Sequence, residues 1–261
     1  MSPLLALVWA LAGTNAGIPD ADLLRQAEEA FRLGAGSQAR VQQARRHFSQ
    51  AADLFGALER RGVRSPALYL DLGNAAFLAG QPARALWAYH CGLRLDPNDR
   101  RLREHLTLVR ARLPYPPGLE GPPADAWPPG LSRPTPRGAL FTACLSYPLV
   151  CLLATLWLRR RDRRLLGACL ALLAVLGGSL GTFGWLSARA EHDTAHPLVI
   201  VAEETPLYRG NGPSYPTHPD VPTLPPGLEA RELRRRGGWL QVQLTGGATG
   251  WIPAAAALVV N

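Results

Sequence analysis

The chain has 261 residues, 47% of them hydrophobic and 18% charged, with 24 Pro and 26 Gly. That mixture is too apolar for a disordered chain and too rich in Pro for one compact helical domain. The net charge is +8 and every one of the 28 basic residues is Arg, so the absence of Lys excludes a P-loop of the GxxxxGK type. The densest basic run, Arg159, Arg160, Arg161, Arg163 and Arg164, lies between two apolar segments rather than along one folded face. That placement points to a membrane and away from nucleic acid. The four Cys, at 91, 144, 151 and 169, have neither a CxxC nor a metal-ligand spacing, which excludes a disulfide scaffold and a zinc ribbon.

In chain order, residues 3–12 (PLLALVWALA) form an apolar run too short for a stable anchor, followed by small residues at Thr14 and Ala16. They predict an export signal over 1–16. A helical domain is expected over 18–113. Within it, residues 66–99 have the length and pattern of a 34-residue tetratricopeptide repeat, matched at Tyr69, Leu72, Gly73, Ala76, Gly80, Ala85, Tyr89, Gly92 and Pro97. Gly73, Ala76 and Ala85 leave room for two antiparallel helices to touch, Tyr69 and Tyr89 fill the space between them, and Asp96-Pro97 ends the second helix. A second, degenerate copy precedes it, because Phe48, Ala51 and Phe55 stand 34 residues before Pro82, Ala85 and Tyr89. Its helices are expected over 20–33, ending at Gly34, and over 38–61, with Gln26 and Ala27 where the Leu-Gly pair belongs. Leu102, Leu106, Val109 and Leu113 then recur at helical spacing and predict a cap helix that covers the last apolar face of the stack. Such an array offers a concave groove for an extended peptide, or braces neighbouring domains, and both readings stand.

Residues 114–137 hold nine Pro and predict a stiff, extended spacer that does not pack, with Trp127 at a membrane interface. The charge-free segments 138–158 and 165–188 are each long enough to cross a hydrocarbon core of about 30 Å as a helix. The basic loop 159–164 between them places the turn in the cytoplasm and both flanking regions outside it. Gly177 and Gly181 form a small-xxx-small pair, expected to pack on the first helix of the same hairpin. Cys144, Cys151 and Cys169 are read as small apolar packing residues.

From residue 196 to 261 the pattern changes to short β-rich runs, 197–202, 228–234, 239–244 and 249–260, joined by Gly and Pro turns. Runs of this length and spacing predict a small barrel. The series Arg209, Gly212, Pro213, Ser214, Pro226, Gly227, Gly238, Trp239, Gly250, Trp251, Ile252 and Pro253 resembles the bacterial Src-homology-3-like domain. That resemblance implies a shallow ligand groove, for which Tyr208, Tyr215, Trp239 and Trp251 are the candidates. For Trp239 and Trp251 the favoured reading is structural, as core and hinge positions. The expected fold class is therefore a multidomain α + β membrane protein: a tetratricopeptide array, a two-helix transmembrane hairpin and a small all-β Src-homology-3-like barrel.

The order of these parts is similar to the E component of the Bacteroides aerotolerance operon, a membrane tetratricopeptide protein. The resemblance implies partners among von Willebrand factor A-type membrane proteins and a MoxR-type AAA+ ATPase. The two spans and the Arg loop predict a multi-pass protein of the inner membrane with both soluble domains on the extracytoplasmic (periplasmic) side. The residues point to no catalytic, metal or cofactor site. His192, Asp193, His196 and His218 form the nearest thing to a metal set, but Pro197 and the expected helix end oppose it. His90-Cys91 lacks a third group to orient a nucleophile. The function expected is a non-enzymatic membrane-anchored scaffold for proteins or peptides, with peptidoglycan binding or envelope sensing by the barrel as the alternative.

Overall fold

The computed structural model describes residues 19–37, 40–113, 115, 119 and 133–260; the expected signal and most of the Pro-rich segment lie outside them. The described residues form seven α-helices and seven strands, all paired antiparallel, so the fold is mixed α + β. The first five helices are α1 (Asp20–Gly36), α2 (Val41–Arg60), α3 (Pro66–Leu78), α4 (Pro82–Leu95) and α5 (Arg100–Arg110). Each packs on the next. Their boundaries follow from local chemistry. Ser65 accepts a hydrogen bond from the Leu68 amide (3.1 Å) ahead of Pro66 in the first turn of α3. Asp99 caps α5 through the amides of Arg101 and Leu102, at 2.8 and 3.2 Å. Gly80, at φ +84°, reverses the chain between α3 and α4 in a backbone region that L side chains resist.

The helices touch where side chains are missing. A Cβ on Gly73 would enter the ring of Tyr89, and one on Gly92 would come within 2.8 Å of Leu102. In the first pair, α1 does not end at Gly34. It runs to Gly36, and Gly34 is buried inside it, where a Cβ would stand 2.8 Å from the ring of Phe48. Gly34 thus makes a close helix approach comparable to that of Gly73, not the turn of Gly80. Spacing alone did not distinguish the two uses of glycine.

Two further helices, α6 (Pro136–Arg160) and α7 (Arg163–Ala195), are long and apolar enough to cross a membrane, each with mean hydropathy 2.0 over its most apolar window. Only 22% and 6% of those windows is buried inside the protein, which separates them from the core helices of a globular domain. The basic loop is shorter than 159–164. Arg159 and Arg160 belong to α6 and Arg163 and Arg164 to α7, so Arg161, left-handed at φ 52°, and Asp162, which caps α7, make the turn alone. The second helix also continues past residue 188 to Ala195. Ala143, Ser146 and Val150 of α6 are buried in the hairpin with Cys169 of α7. Cys144 and Cys151 are exposed instead, and a Cβ on Gly177 or Gly181 would meet open space. The expectation that these glycines pack on the first helix is therefore overturned.

The strands are β1 (Leu198–Val201), β2 (Thr205–Pro206), β3 (Thr223–Leu224), β4 (Glu229–Arg236), β5 (Trp239–Leu244), β6 (Thr249–Pro253) and β7 (Ala257–Val260). The run expected over 249–260 is two strands, broken by a short 3-10 turn at Ala254–Ala256. The main sheet has the order β6-β5-β4-β1-β7, and β2 pairs with β3. Its two edge strands are thus joined by three residues. A flat sheet would set those edges about 19 Å apart at about 4.8 Å per strand, whereas four residue steps reach at most about 14 Å. The sheet is therefore curled, with Val199, Val201, Leu240, Val242 and Ile252 inside.

The curled sheet and the helices are not separate bodies. Val199, Ile200 and Val201 are all fully buried, because β1 faces the sheet core on one side and the helices on the other. Ile200 and Val260 belong to the same apolar core as α1–α5. The outer edge of β7, which would expose unpaired carbonyls, is covered by α4: Trp87 Nε1 donates to the Val259 carbonyl (3.0 Å) and Arg94 to that of Val260 (3.1 Å). The Pro-rich segment also contributes. Leu119 is buried in the sheet core and Tyr115 packs against it, so these two residues are part of the domain rather than of a free spacer.

Candidate functional site

Two arrangements have the chemistry of recognition. The first is an aromatic face on the curled sheet. Along β5, Leu240, Val242 and Leu244 point inward and are buried, so Trp239 and Gln241 point outward. In the register, Trp239 faces Pro253 and Gln241 faces Trp251. Tyr208 is bridged to Trp251 by hydrogen bonds in both directions, 2.9 and 2.7 Å, and its ring meets that of Trp239 edge-on at 5.6 Å. Three of the four sequence-predicted aromatics therefore share one half-buried outer surface. Trp239 and Trp251 are not core positions, which corrects the structural reading favoured for them; the alternation of β5 puts Leu and Val inside instead. Tyr215 stands in the neighbouring loop, 50% exposed, with its ring laid over Gly210. Flat rings held at a sheet surface offer stacking and apolar contact to a peptide or a sugar ring.

The second arrangement is a charged seam between α4, α5 and β4. Arg110 donates two hydrogen bonds to Glu229, at 2.8 and 2.7 Å, and His90 Nε2 lies 3.3 Å from the same carboxylate. The Glu229 side chain is only 2% exposed. Burial by itself raises such a carboxyl, but hydrogen bonds and charge from His90 and Arg110 outweigh it and hold Glu229 down at about 2. Neither Arg110 nor Glu229 was singled out by sequence reasoning, and His90 was considered only as the neighbour of Cys91. Glu229 sits in a strand and its partner Arg110 is 119 residues earlier, so no local pattern joins them.

The remaining candidates do not converge. His192 and His196 do meet, ring centroids 5.0 Å apart, because α7 extends past the expected end. Asp193 is paired with Arg231 at 2.6 Å, however, and His218 belongs to the loop beside Leu207. Among the described residues no three His, Cys, Asp or Glu side chains are placed to hold a metal ion. His90 faces Glu229, while the Cys91 thiol is buried and pushed up to about 12, chiefly by desolvation and then by the charge of Glu59. The two adjacent residues are thus not a nucleophile and its base.

Seven of the nine positions matched to the repeat are buried between the helices, while Gly80 in the turn and Pro97 after α4 are exposed. Leu72, Ala76, Ala85 and Tyr89 are fully buried, Tyr69 packs edge-on to Trp87 at 6.1 Å, and the Tyr89 hydroxyl donates to Asn74 at 2.9 Å. Pro97 lies just beyond α4 and lines the junction with the sheet. They act through packing and present no reactive group. Compared with protein-family models, curated proteins and solved structures, the chain matches none of them.

Proposed function

We propose that the chain is a non-enzymatic scaffold anchored by a transmembrane hairpin. In this reading α1–α5 are two tetratricopeptide units with a cap helix, and the curled sheet is a Src-homology-3-like barrel. Arg159, Arg160, Arg161, Arg163 and Arg164 face the cytoplasm, and both domains stand together on the opposite side of the membrane. The observation that carries the proposal is the shared core. Ile200 and Val260 of the sheet are buried with the helices, and Trp87 is hydrogen-bonded across the seam. Domains that bury one core lie on the same side of a bilayer, which two crossings provide and one does not. They also present their surfaces in a fixed relation, as an assembly platform requires. The partners proposed are those implied by the aerotolerance resemblance, von Willebrand factor A-type membrane proteins and a MoxR-type ATPase.

The outward aromatic face favours a second reading, in which Tyr208, Trp239 and Trp251 grip peptidoglycan. One experiment separates them: affinity purification of the tagged chain from crosslinked membranes, with and without Trp239→Ala. Recovery of integral membrane proteins and an ATPase supports the scaffold. Recovery of wall fragments alone, lost in the Trp239→Ala protein, overturns it in favour of wall binding.

A further inference from the structure

Where the helical array, the curled sheet and the two long helices meet, a cleft of about 880 Å³ opens. Its wall is built from α4 and α5, the first residue of α6, the last two turns of α7, and strands β1, β4 and β5. Three guanidinium groups, Arg94, Arg110 and Arg231, line it together with His90, against the carboxylates of Asp193 and Glu229. Both carboxylates are already matched, Glu229 by Arg110 and His90 and Asp193 by Arg231. Arg94 is not. Its hydrogen bond is to the Val260 carbonyl, and among the described residues it makes no ion pair with either carboxylate of the cleft. A cleft with one unmatched, planar, permanently charged donor group is suited to an oxyanion.

The height of the cleft narrows the chemistry. The charge-free stretch of α7 ends at residue 188, and Ala190, Asp193 and Thr194 line the cleft roughly 3 to 9 Å further along the helix at about 1.5 Å per residue. Trp185, covered by the Arg189 guanidinium at 5.5 Å, marks the boundary just below, as aromatic residues do at bilayer surfaces. Pro97, Pro136, Leu198 and Leu244 supply an apolar part to the same wall.

We propose that this cleft binds a phosphate group carrying net negative charge, with Arg94 as its principal contact. The nearest source is the headgroup of an anionic phospholipid, whose glycerol end would rest on the apolar wall. That source rests on the membrane-crossing reading, whereas the phosphate chemistry does not.

The test is calorimetric titration of the purified full chain in neutral detergent with short-chain phosphatidylglycerol and, separately, with inorganic phosphate. Arg94→Gln is expected to weaken phosphatidylglycerol binding about tenfold, the scale of one charge-assisted hydrogen bond. Arg94→Lys, which keeps the charge, recovers part of the loss, and Arg25→Gln at the far end of the array leaves binding unchanged. Saturable inorganic phosphate binding that competes with the lipid and is weakened by Arg94→Gln supports the site with a free anion as ligand. Lipid binding with no response to phosphate supports it with the lipid as ligand. Equal lipid affinity of the wild type and an Arg94→Gln protein of unchanged circular dichroism, or no binding of either probe, overturns the proposal.

Discussion

At Gly73 the missing side chain is itself the contact, because the Tyr89 ring occupies the space where a Cβ would stand. The ring cannot swing away freely: it is fully buried, and its hydroxyl is tied to Asn74 at 2.9 Å. Gly73→Ala should therefore destabilise the helical domain despite its better helix propensity, by about 1–3 kcal/mol as an overpacked core does. Thermal unfolding followed at 222 nm checks this, and an unchanged or raised midpoint would show that α3 and α4 can separate at no cost. Residues of this kind were legible in the sequence because the repeat spacing put Gly73 opposite an aromatic. Gly34 was misread as the residue that ends α1, whereas the helix runs on to Gly36 and buries Gly34 against the Phe48 ring.

Among the elements, the apolar hairpin was the clearest in sequence and its details the least so. Length and lack of charge marked both helices, since crossing a bilayer demands both. What counting could not place was the face each helix presents. Gly177 and Gly181 meet open space because α6 packs on α7 through Ala143, Ser146 and Val150 instead. The tight turn at Arg161 and Asp162 gathers five guanidinium groups at one end of the hairpin, and this cluster is the orienting signal of the topology proposed. Replacing all five with Gln should produce a mixed or inverted population. An impermeant thiol reagent should then label a cysteine introduced at Ser214 from the opposite side of the membrane in that fraction. Labelling from the same side in every molecule would mean that the Arg cluster does not set the orientation.

For the whole molecule, the seam between helices and sheet decides most of the behaviour. Although burial alone would raise it, hydrogen bonds and charge from His90 and Arg110 hold the Glu229 carboxyl at about 2 in the folded protein, below its ordinary value of 4.5. A carboxyl with a depressed folded value contributes its full stability above about pH 4.5, and that contribution is lost as the pH falls towards 2. Acid should therefore loosen the seam across that window. Glu229→Gln, which removes the buried carboxylate that Arg110 and His90 share, should cost about 3–5 kcal/mol at neutral pH and flatten the dependence. Hydrogen exchange at the amides of β1 and β7 measured against pH checks both. An equally steep acid loss in the Glu229→Gln protein would assign it to another group.

The sequence by itself determined that helices, then two long apolar helices, then short strands follow one another, because periodicity, turn residues and charge-free length are local properties of a chain. It also marked Tyr208, Trp239 and Trp251 as candidates. Only the tertiary structure decided that these rings lie on an outer face, that Leu119 leaves the Pro-rich segment to join the sheet core, and that Arg94, Arg110 and Glu229 border one cleft. Each of those facts joins residues far apart in the chain. Such pairs are selected by which surfaces remain to be buried once the helices and strands have formed, and no short-range pattern records that choice.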